Sequence, residues 1–259
     1  MSSIFILKLI LTPTLIALVT LIARRWGPVV GGWILGLPLT SGPASVFLAL
    51  ERGTEFAAQA IISSMLGLVA TMIFCLTYAG MARRYPWLPC IVTAVTLNFI
   101  GVGILSTLTL PLMPASALSG AAIITALAVI KKAEAKPVAI RAPQWDLPVR
   151  MVIATTIVLL VTTLSQSLGP NLSGILSTFP VFITIMAVFT HRTSGIESVR
   201  QFLRGVIMGS FSFIAFAVTV NLTLGHLGLP VVYILGTFAA VGVNAAVMAL
   251  FVHKKHPVE

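Results

Sequence analysis

Charge is what this chain has least of: 8% of its 259 residues are Asp, Glu, Lys or Arg, against 58% hydrophobic. With a mean hydropathy of +1.08, there is too little polar surface to cover a water-soluble core. The composition therefore implies an integral membrane protein of the all-α polytopic class. Acidic residues number only 6, and none falls deep within an apolar stretch, which argues against a proton relay of buried carboxylates. The 2 cysteines, Cys75 and Cys90, lie inside apolar stretches, so no disulfide framework is expected and both read as packing residues. The sequence contains no Walker loop, no His-Glu-x-x-His, no Gly-x-Ser-x-Gly and no paired-glutamate protease motif. Nothing in it marks an enzyme, a cofactor or a metal centre. His191, His226, His253 and His256 lack metal-site spacing.

The net charge of +10 would suggest nucleic acid in a soluble protein. Here the basic residues sit between apolar stretches, which points to membrane topology and to no nucleic-acid partner. Nine such stretches are legible: about Ile4 to Ala23, Val29 to Leu50, Phe56 to Gly80, Leu88 to Leu108, Ala115 to Ile130, Val149 to Leu168, Leu172 to Thr190, Val199 to Leu224 and Leu229 to Val252. With the N-terminus outside, 14 of the 16 Lys and Arg fall in inside loops, leaving Lys8 and Arg52 elsewhere. The expectation is nine spans in a bacterial cytoplasmic membrane, with the C-terminus in the cytoplasm. Lys8 interrupts the first stretch, which reads as an uncleaved span.

Within this apolar chain one segment recurs. GPVVGGWILGLPLTSGPASVFLAL begins at Gly27, and GPNLSGILSTFPVFITIMAVFTHR begins 142 residues later at Gly169. The ungapped match pairs Gly27/Gly169, Pro28/Pro170, Gly32/Gly174, Pro38/Pro180, Val46/Val188, Phe47/Phe189, Gly53/Gly195, Glu55/Glu197, Gln59/Gln201, Gly67/Gly209 and Phe74/Phe216. Apolar letters coincide easily in such a sequence, whereas Gly and Pro at a fixed offset mark backbone events that happen twice. A second block at offset 141 pairs Leu88/Leu229, Pro89/Pro230, Thr96/Thr237, Gly101/Gly242 and Val102/Val243. The chain thus divides into a repeat over 1–110, a linking span and linker over 111–148, and a second repeat over 149–259. The odd number of spans in between inverts the second repeat. The linker KKAEAKPVAIRAPQWDLPVR, with Pro137, Pro143 and Pro148, reads as a cytoplasmic tether without chemistry of its own.

Pro38 and Pro180 lie near the middle of spans two and seven, where a proline frees a carbonyl that protein, water or a ligand must satisfy. Gly36, Thr40, Ser41, Gly42 and Pro43 surround the first, and Ser177, Thr178 and Thr184 the second. The alternatives are an ordinary proline kink and a pair of broken helices forming a substrate or ion site. Hydroxyls and freed carbonyls would suit Na⁺, while helix N-termini at a break would suit an anionic group. Glu55 with Gln59, and Glu197 with Gln201, each open a span and read as a gate or as helix-capping groups, Ser194 to Glu197 having capping-box spacing. Asn98, Asn221 and Asn244 are amides within spans, suited to interhelical hydrogen bonds or to a substrate. Ser63/Gly67 and Gly205/Gly209 read as close-packing faces.

The segments GLPLTSGP, FLALERG and STFPVFITIMAVFTHR resemble a family of small bacterial inner-membrane proteins without an assigned function. The organisation also resembles inverted-repeat secondary transporters of the bile-acid and arsenite symporter type. Those have ten spans broken at the fourth and ninth, whereas this chain has nine broken at the second and seventh, so the resemblance implies organisation and no residue roles. It implies a secondary transporter of a small polar or anionic metabolite working by symport, with Na⁺ preferred to H⁺ as coupling ion because no deep carboxylate is present. The other partners implied are membrane lipid and a second copy in a homodimer. The alternatives are a lipid or polyprenyl-phosphate flippase and a non-transporting membrane subunit or assembly factor. A water-filled cavity lined by Thr40, Ser41, Ser177 and Thr178 would favour transport. A cleft open to lipid with basic residues at its mouth would favour the flippase, and a solid interior the subunit.

The orientation has a direct test. Single cysteines at Gln166 and His226 are expected to react with an impermeant thiol reagent from outside the cell, and one at Ala135 only after permeabilisation. The opposite labelling pattern would overturn the orientation and the inversion together.

Overall fold

The computed structural model describes residues 3–39, 41–130, 143, 145–167 and 179–252. These form ten helices: α1 Ser3–Trp26, α2 Pro28–Leu35, α3 Ser41–Arg52, α4 Thr54–Met81, α5 Trp87–Leu105, α6 Leu112–Val129, α7 Asp146–Ser167, α8 Val181–Gly209, α9 Phe211–Thr223 and α10 Leu229–Val252. Among the described residues no extended strand occurs, and five helical stretches are long and apolar enough to cross a membrane. The outermost helices turn large apolar side chains outward, with Ile104, Ile124 and Phe238 exposed, the arrangement expected where the surroundings are hydrocarbon.

The stretch Val29 to Leu50 is two helices, because α2 stops at Leu35 and α3 starts at Ser41. Between them the Leu39 N–H donates to the Leu37 carbonyl at 2.8 Å and the Gly42 N–H to the Pro38 carbonyl at 2.9 Å. One hundred and forty-two residues on, the Val181 N–H donates to the Phe179 carbonyl at 2.8 Å and the Thr184 N–H to the Pro180 carbonyl at 2.9 Å. Pro180, at φ −79° and ψ 65°, is the centre of an inverse γ-turn, which its ring pre-sets. Both prolines thus stand at the start of a helix, and neither is a kink inside a continuous one. What precedes Phe179 lies outside the described residues.

Gly53 and Gly195 form a second matched pair. Gly53 separates α3 from α4 at φ 92° and ψ 166°, and Gly195 interrupts α8 at φ 82° and ψ −178°. Only glycine adopts that backbone without strain. The eighth apolar stretch consequently begins at Gly195 and not at Val199. It bends at Ser210, which joins α8 to α9.

At one end of the bundle, contacts between distant parts of the chain gather basic residues. Arg24 of α1 pairs with Asp146 of α7 at 2.7 Å, and His191 Nδ1 of α8 lies 3.3 Å from the Tyr78 hydroxyl of α4. Arg192 covers the Trp87 ring of α5 at 5.3 Å. Arg204 donates to the Leu127 carbonyl at 3.1 Å and also to that of Ile130, holding the last carbonyls of α6 as a cation at a helix C-terminus does. Because α4 is 28 residues long, roughly 42 Å at ~1.5 Å per residue, Gly53 is at the far end from Gly195.

Among the described residues, the closest approach of two backbones joins α2 to the second part of α8. A Cβ placed on Gly32 would meet the Phe202 carbonyl oxygen at 2.0 Å, and one on Gly36 would meet Gly209 Cα at 2.5 Å. Conversely, a Cβ on Gly205 would meet the Val29 oxygen at 2.1 Å, and one on Gly209 the Trp33 oxygen at 2.1 Å. Two small-xxx-small faces lie backbone against backbone, and the dispersion contacts of such a crossing replace the hydrophobic drive that lipid does not provide. The corresponding Ser63 is exposed and Gly67 half-buried. Cys75 and Cys90 are free and buried.

Gly209→Leu is therefore expected to fall at or beyond the upper end of the ~1–3 kcal/mol range of overpacking. Gly242→Ala, with open space around its Cα, should leave stability unchanged. Thermal melting of both variants in one detergent checks this, and equal melting temperatures would contradict the backbone contact.

Candidate functional site

The first break is closed by protein. The Gly36 carbonyl, where α2 ends, accepts from the Ser212 hydroxyl at 3.1 Å, which also lies 2.6 Å from the Gly209 carbonyl. Ser212 is buried, so α9 supplies a hydrogen-bond donor to the end of α2 at this break. Trp33 Nε1 donates to the Asn244 carbonyl at 3.2 Å, tying α2 to α10. Ahead of the break, Ser45 turns its hydroxyl back to the Gly42 carbonyl at 2.7 Å. Phe216 stands close to the Gly42 Cβ position at 3.7 Å and 6.2 Å from the Tyr233 ring. Pro38 and Ser41 are half-buried, and Gly42 is buried.

The second break is less satisfied. Phe179, the residue before Pro180, stacks on Phe99 of α5 at 5.4 Å between ring centroids and 13° between planes. Beside Phe99 in sequence, Asn98 is fully buried, with neither its amide nitrogen nor its amide oxygen partnered. On the first turn of α8, Thr184 is buried and its hydroxyl is likewise unpartnered. The N–H groups of Phe182 and Ile183, unlike those of Val181 and Thr184, have no hydrogen-bond acceptor among the described residues. An unpaired polar group in a low-dielectric interior costs about 1–3 kcal/mol. Such a group at a helix N-terminus, as Thr184 is here, marks a place where water or a polar ligand is stabilised.

The other sequence candidates distribute as follows. Thr40, Ser177 and Thr178 lie outside the described residues. Asn244 is buried with its side-chain oxygen unpartnered. Asn221 donates to the Ala217 carbonyl of its own helix at 3.0 Å, which accounts for it without a ligand. Glu55 and Gln59 are exposed at the start of α4, where a carboxylate complements the helix dipole. At the opposite end Glu197 reaches Arg200 at 3.3 Å and does not turn back to Ser194, so the capping box is not formed. Gln201 is half-buried and engaged in an interaction of its own.

Asp146 was hidden in the sequence by its place in the linker. The segment from Asp146 onward is helix α7, and Asp146 is fully buried. Its carboxylate accepts from Arg24 at 2.7 Å and from Arg150 at 2.9 and 3.2 Å. Arg150 also lies over the Phe189 ring at 4.9 Å and 3.4 Å from the Met186 sulfur, which Thr20 approaches at 3.3 Å. Three helices are joined here, so this part of the linker is a structural lock and not a tether. The signal available in sequence was the i, i+4 spacing of Asp146 and Arg150.

A cavity of about 620 Å³ opens sideways between α6, α9 and α10. Its lining is apolar, including Ile124, Leu127, Ile214, Val218 and Val247. No metal-ligating cluster occurs among the described residues. No family model matches the chain, and no curated protein or solved structure matches it either.

Asp146→Asn leaves two guanidinium groups sharing a neutral amide. It is expected to cost about 3–5 kcal/mol, as breaking a buried ion pair does. Arg24→Gln should cost less, since Arg24 is 36% exposed and the Arg150 partner remains. Melting of the two purified variants measures the order, and an Asp146→Asn protein as stable as the wild type would remove the lock.

Proposed function

We propose that this chain is a secondary transporter that moves a small polar or anionic metabolite across the bacterial cytoplasmic membrane by alternating access. Its two halves are inverted repeats of four spans each, joined by the fifth span. The carrying observation is that helix breaks 142 residues apart repeat the same two backbone hydrogen bonds, with unpartnered buried Asn98 and Thr184 close to the second. Broken helices near the midplane are where repeat-built transporters bind substrate and coupling ion.

The two breaks divide the work. The first, held by Ser212 and by glycine contact, is the fixed wall. The second presents donors: the Phe182 and Ile183 amides, the Thr184 hydroxyl and the Asn98 amide. A donor-rich helix N-terminus favours the anionic end of a substrate. An ion gradient, Na⁺ before H⁺, supplies the driving force. Basic residues gathered at one end agree with a cytoplasmic face there, and the turns at Gly53 and Gly195, at opposite ends of the bundle, agree with inversion. A second reading, a lipid or polyprenyl-phosphate flippase, is favoured by the laterally open apolar cavity.

Purified protein in liposomes, screened for metabolite uptake under separate Na⁺ and pH gradients and for lipid transfer between leaflets, distinguishes the two readings. Once a substrate is found, Asn98→Leu and Thr184→Val are expected to lower transport by about tenfold or more while melting unchanged or higher, since each removes a buried group that lacks a partner. Pro38→Ala/Pro180→Ala is expected to lose transport and ion dependence together. Full transport in that double variant would sink the broken-helix site.

A further inference from the structure

The second break is built from chain segments without charge. From Tyr85 to Ile130, which includes α5, and from Met151 to Thr190, which includes the start of α8, the sequence holds no Asp, Glu, Lys or Arg. A guanidinium does reach α8 further along, where Arg150 lies 3.4 Å from the Met186 sulfur and over the Phe189 ring at 4.9 Å. Asp146 already holds that group at 2.9 and 3.2 Å. The break itself therefore offers neutral donors and the positive end of a helix, equivalent to about half an elementary charge. Such an end balances a single negative charge in part, whereas a second one would be buried unpaired at high cost.

Thr184 marks the binding end. Elsewhere in this chain helical threonines turn the hydroxyl back to the carbonyl four residues earlier, as Thr71 does to Gly67, Thr155 to Met151 and Thr193 to Phe189, at 2.8 to 3.1 Å. The Pro180 carbonyl stands in that position for Thr184 and accepts its backbone N–H, yet the Thr184 hydroxyl is without a partner and the residue is 4% exposed. It is a buried donor turned away from its own helix.

The residue leading into the same turn is aromatic. Phe179 stacks on Phe99 at 5.4 Å, and both rings are half-buried, so the pair keeps ring surface for a third planar group. At the repeat offsets of 142 and 141, the positions of Phe179 and Phe99 correspond to Leu37 and Ala240. The repeated backbone thus does not require the stack, which occurs at the break where the buried hydroxyl is unpaired.

We infer that the second break binds a monocarboxylate bearing a planar ring, with the carboxylate at the Thr184 hydroxyl and the start of α8 and the ring against Phe99 and Phe179. The inference rests on the transport reading and narrows its substrate class. Dicarboxylates and phosphate monoesters are set aside because each brings a second negative charge to a site without a countercharge.

The test uses full-length protein in nanodiscs at neutral pH and four probes: benzoate, the non-planar cyclohexanecarboxylate, the dianion terephthalate and the neutral benzamide. Calorimetry gives the affinities, and amide exchange over residues 181–184 locates the bound compound. Benzoate is expected to slow exchange there and to bind about fivefold more tightly than cyclohexanecarboxylate, the size of one aromatic contact. Against terephthalate and benzamide the preference should be about tenfold or more. Phe99→Leu and Phe179→Leu should each lower the benzoate affinity to that of cyclohexanecarboxylate and leave the latter unchanged, a ratio that a purely structural role of the stack would not move. Thr184→Val should weaken both monocarboxylates by about tenfold, as loss of a hydrogen bond to a charged group does. Equal affinity for benzoate and cyclohexanecarboxylate, or tighter binding of terephthalate, would overturn the inference and leave the transport reading standing. Protection of 181–184 by none of the four would overturn both.

Discussion

A backbone group without a hydrogen-bond partner is the most expensive thing a membrane-spanning chain can contain, and the rest of this structure follows from how one helix end is handled. Where α2 ends at Leu35, the Ser212 hydroxyl donates to the Gly36 carbonyl. That bond requires α9 to come within reach of α2, and only the glycine-on-glycine crossing of Gly32 and Gly36 with Gly205 and Gly209 allows it. A methyl group at any of these four positions would meet backbone at 2.0 to 2.5 Å. The break, the crossing and the serine are one device, and Trp33 fastens its outer side to α10.

Part of this was legible from sequence because it depends on residues with special backbones. Proline and glycine act locally, so Pro38/Pro180 and Gly53/Gly195 announced their turns through spacing alone, and the turns have matching hydrogen bonds and matching positive φ. What depends on long-range meeting was not legible. Asp146 looked like one more polar letter in a linker, because its partner Arg24 lies 122 residues away. Ser212 has no hydroxyl counterpart in the first half and so no pattern to betray it. The capping box at Ser194 to Glu197 failed because Arg200, one turn on, offers Glu197 a full charge in place of a backbone N–H.

The two breaks are alike in backbone and unlike in surroundings, and that asymmetry gives the transport proposal its content. One break is sealed by hydroxyl and glycine. The other keeps the Thr184 hydroxyl and the Asn98 amide without partners, and the Phe182 and Ile183 amides without acceptors among the described residues. An unsatisfied donor set is a geometry in which a polar molecule gains hydrogen bonds that the protein alone does not make. The Arg24, Asp146 and Arg150 lock, at the basic end, ties α1 to α7.

The central claim is that the helix starting at Val181 opens onto water or a polar ligand in the middle of the protein. Amide hydrogen exchange of the wild-type protein in liposomes, resolved by peptide mass spectrometry, measures this without altering a residue. The account predicts exchange at Phe182 and Ile183 at least tenfold faster than at the interior of α4, slowed when a bound substrate occupies the site. Protection there equal to that of Met65 to Met72 would mean that the amides are already bonded within the protein, and the proposed site would be gone.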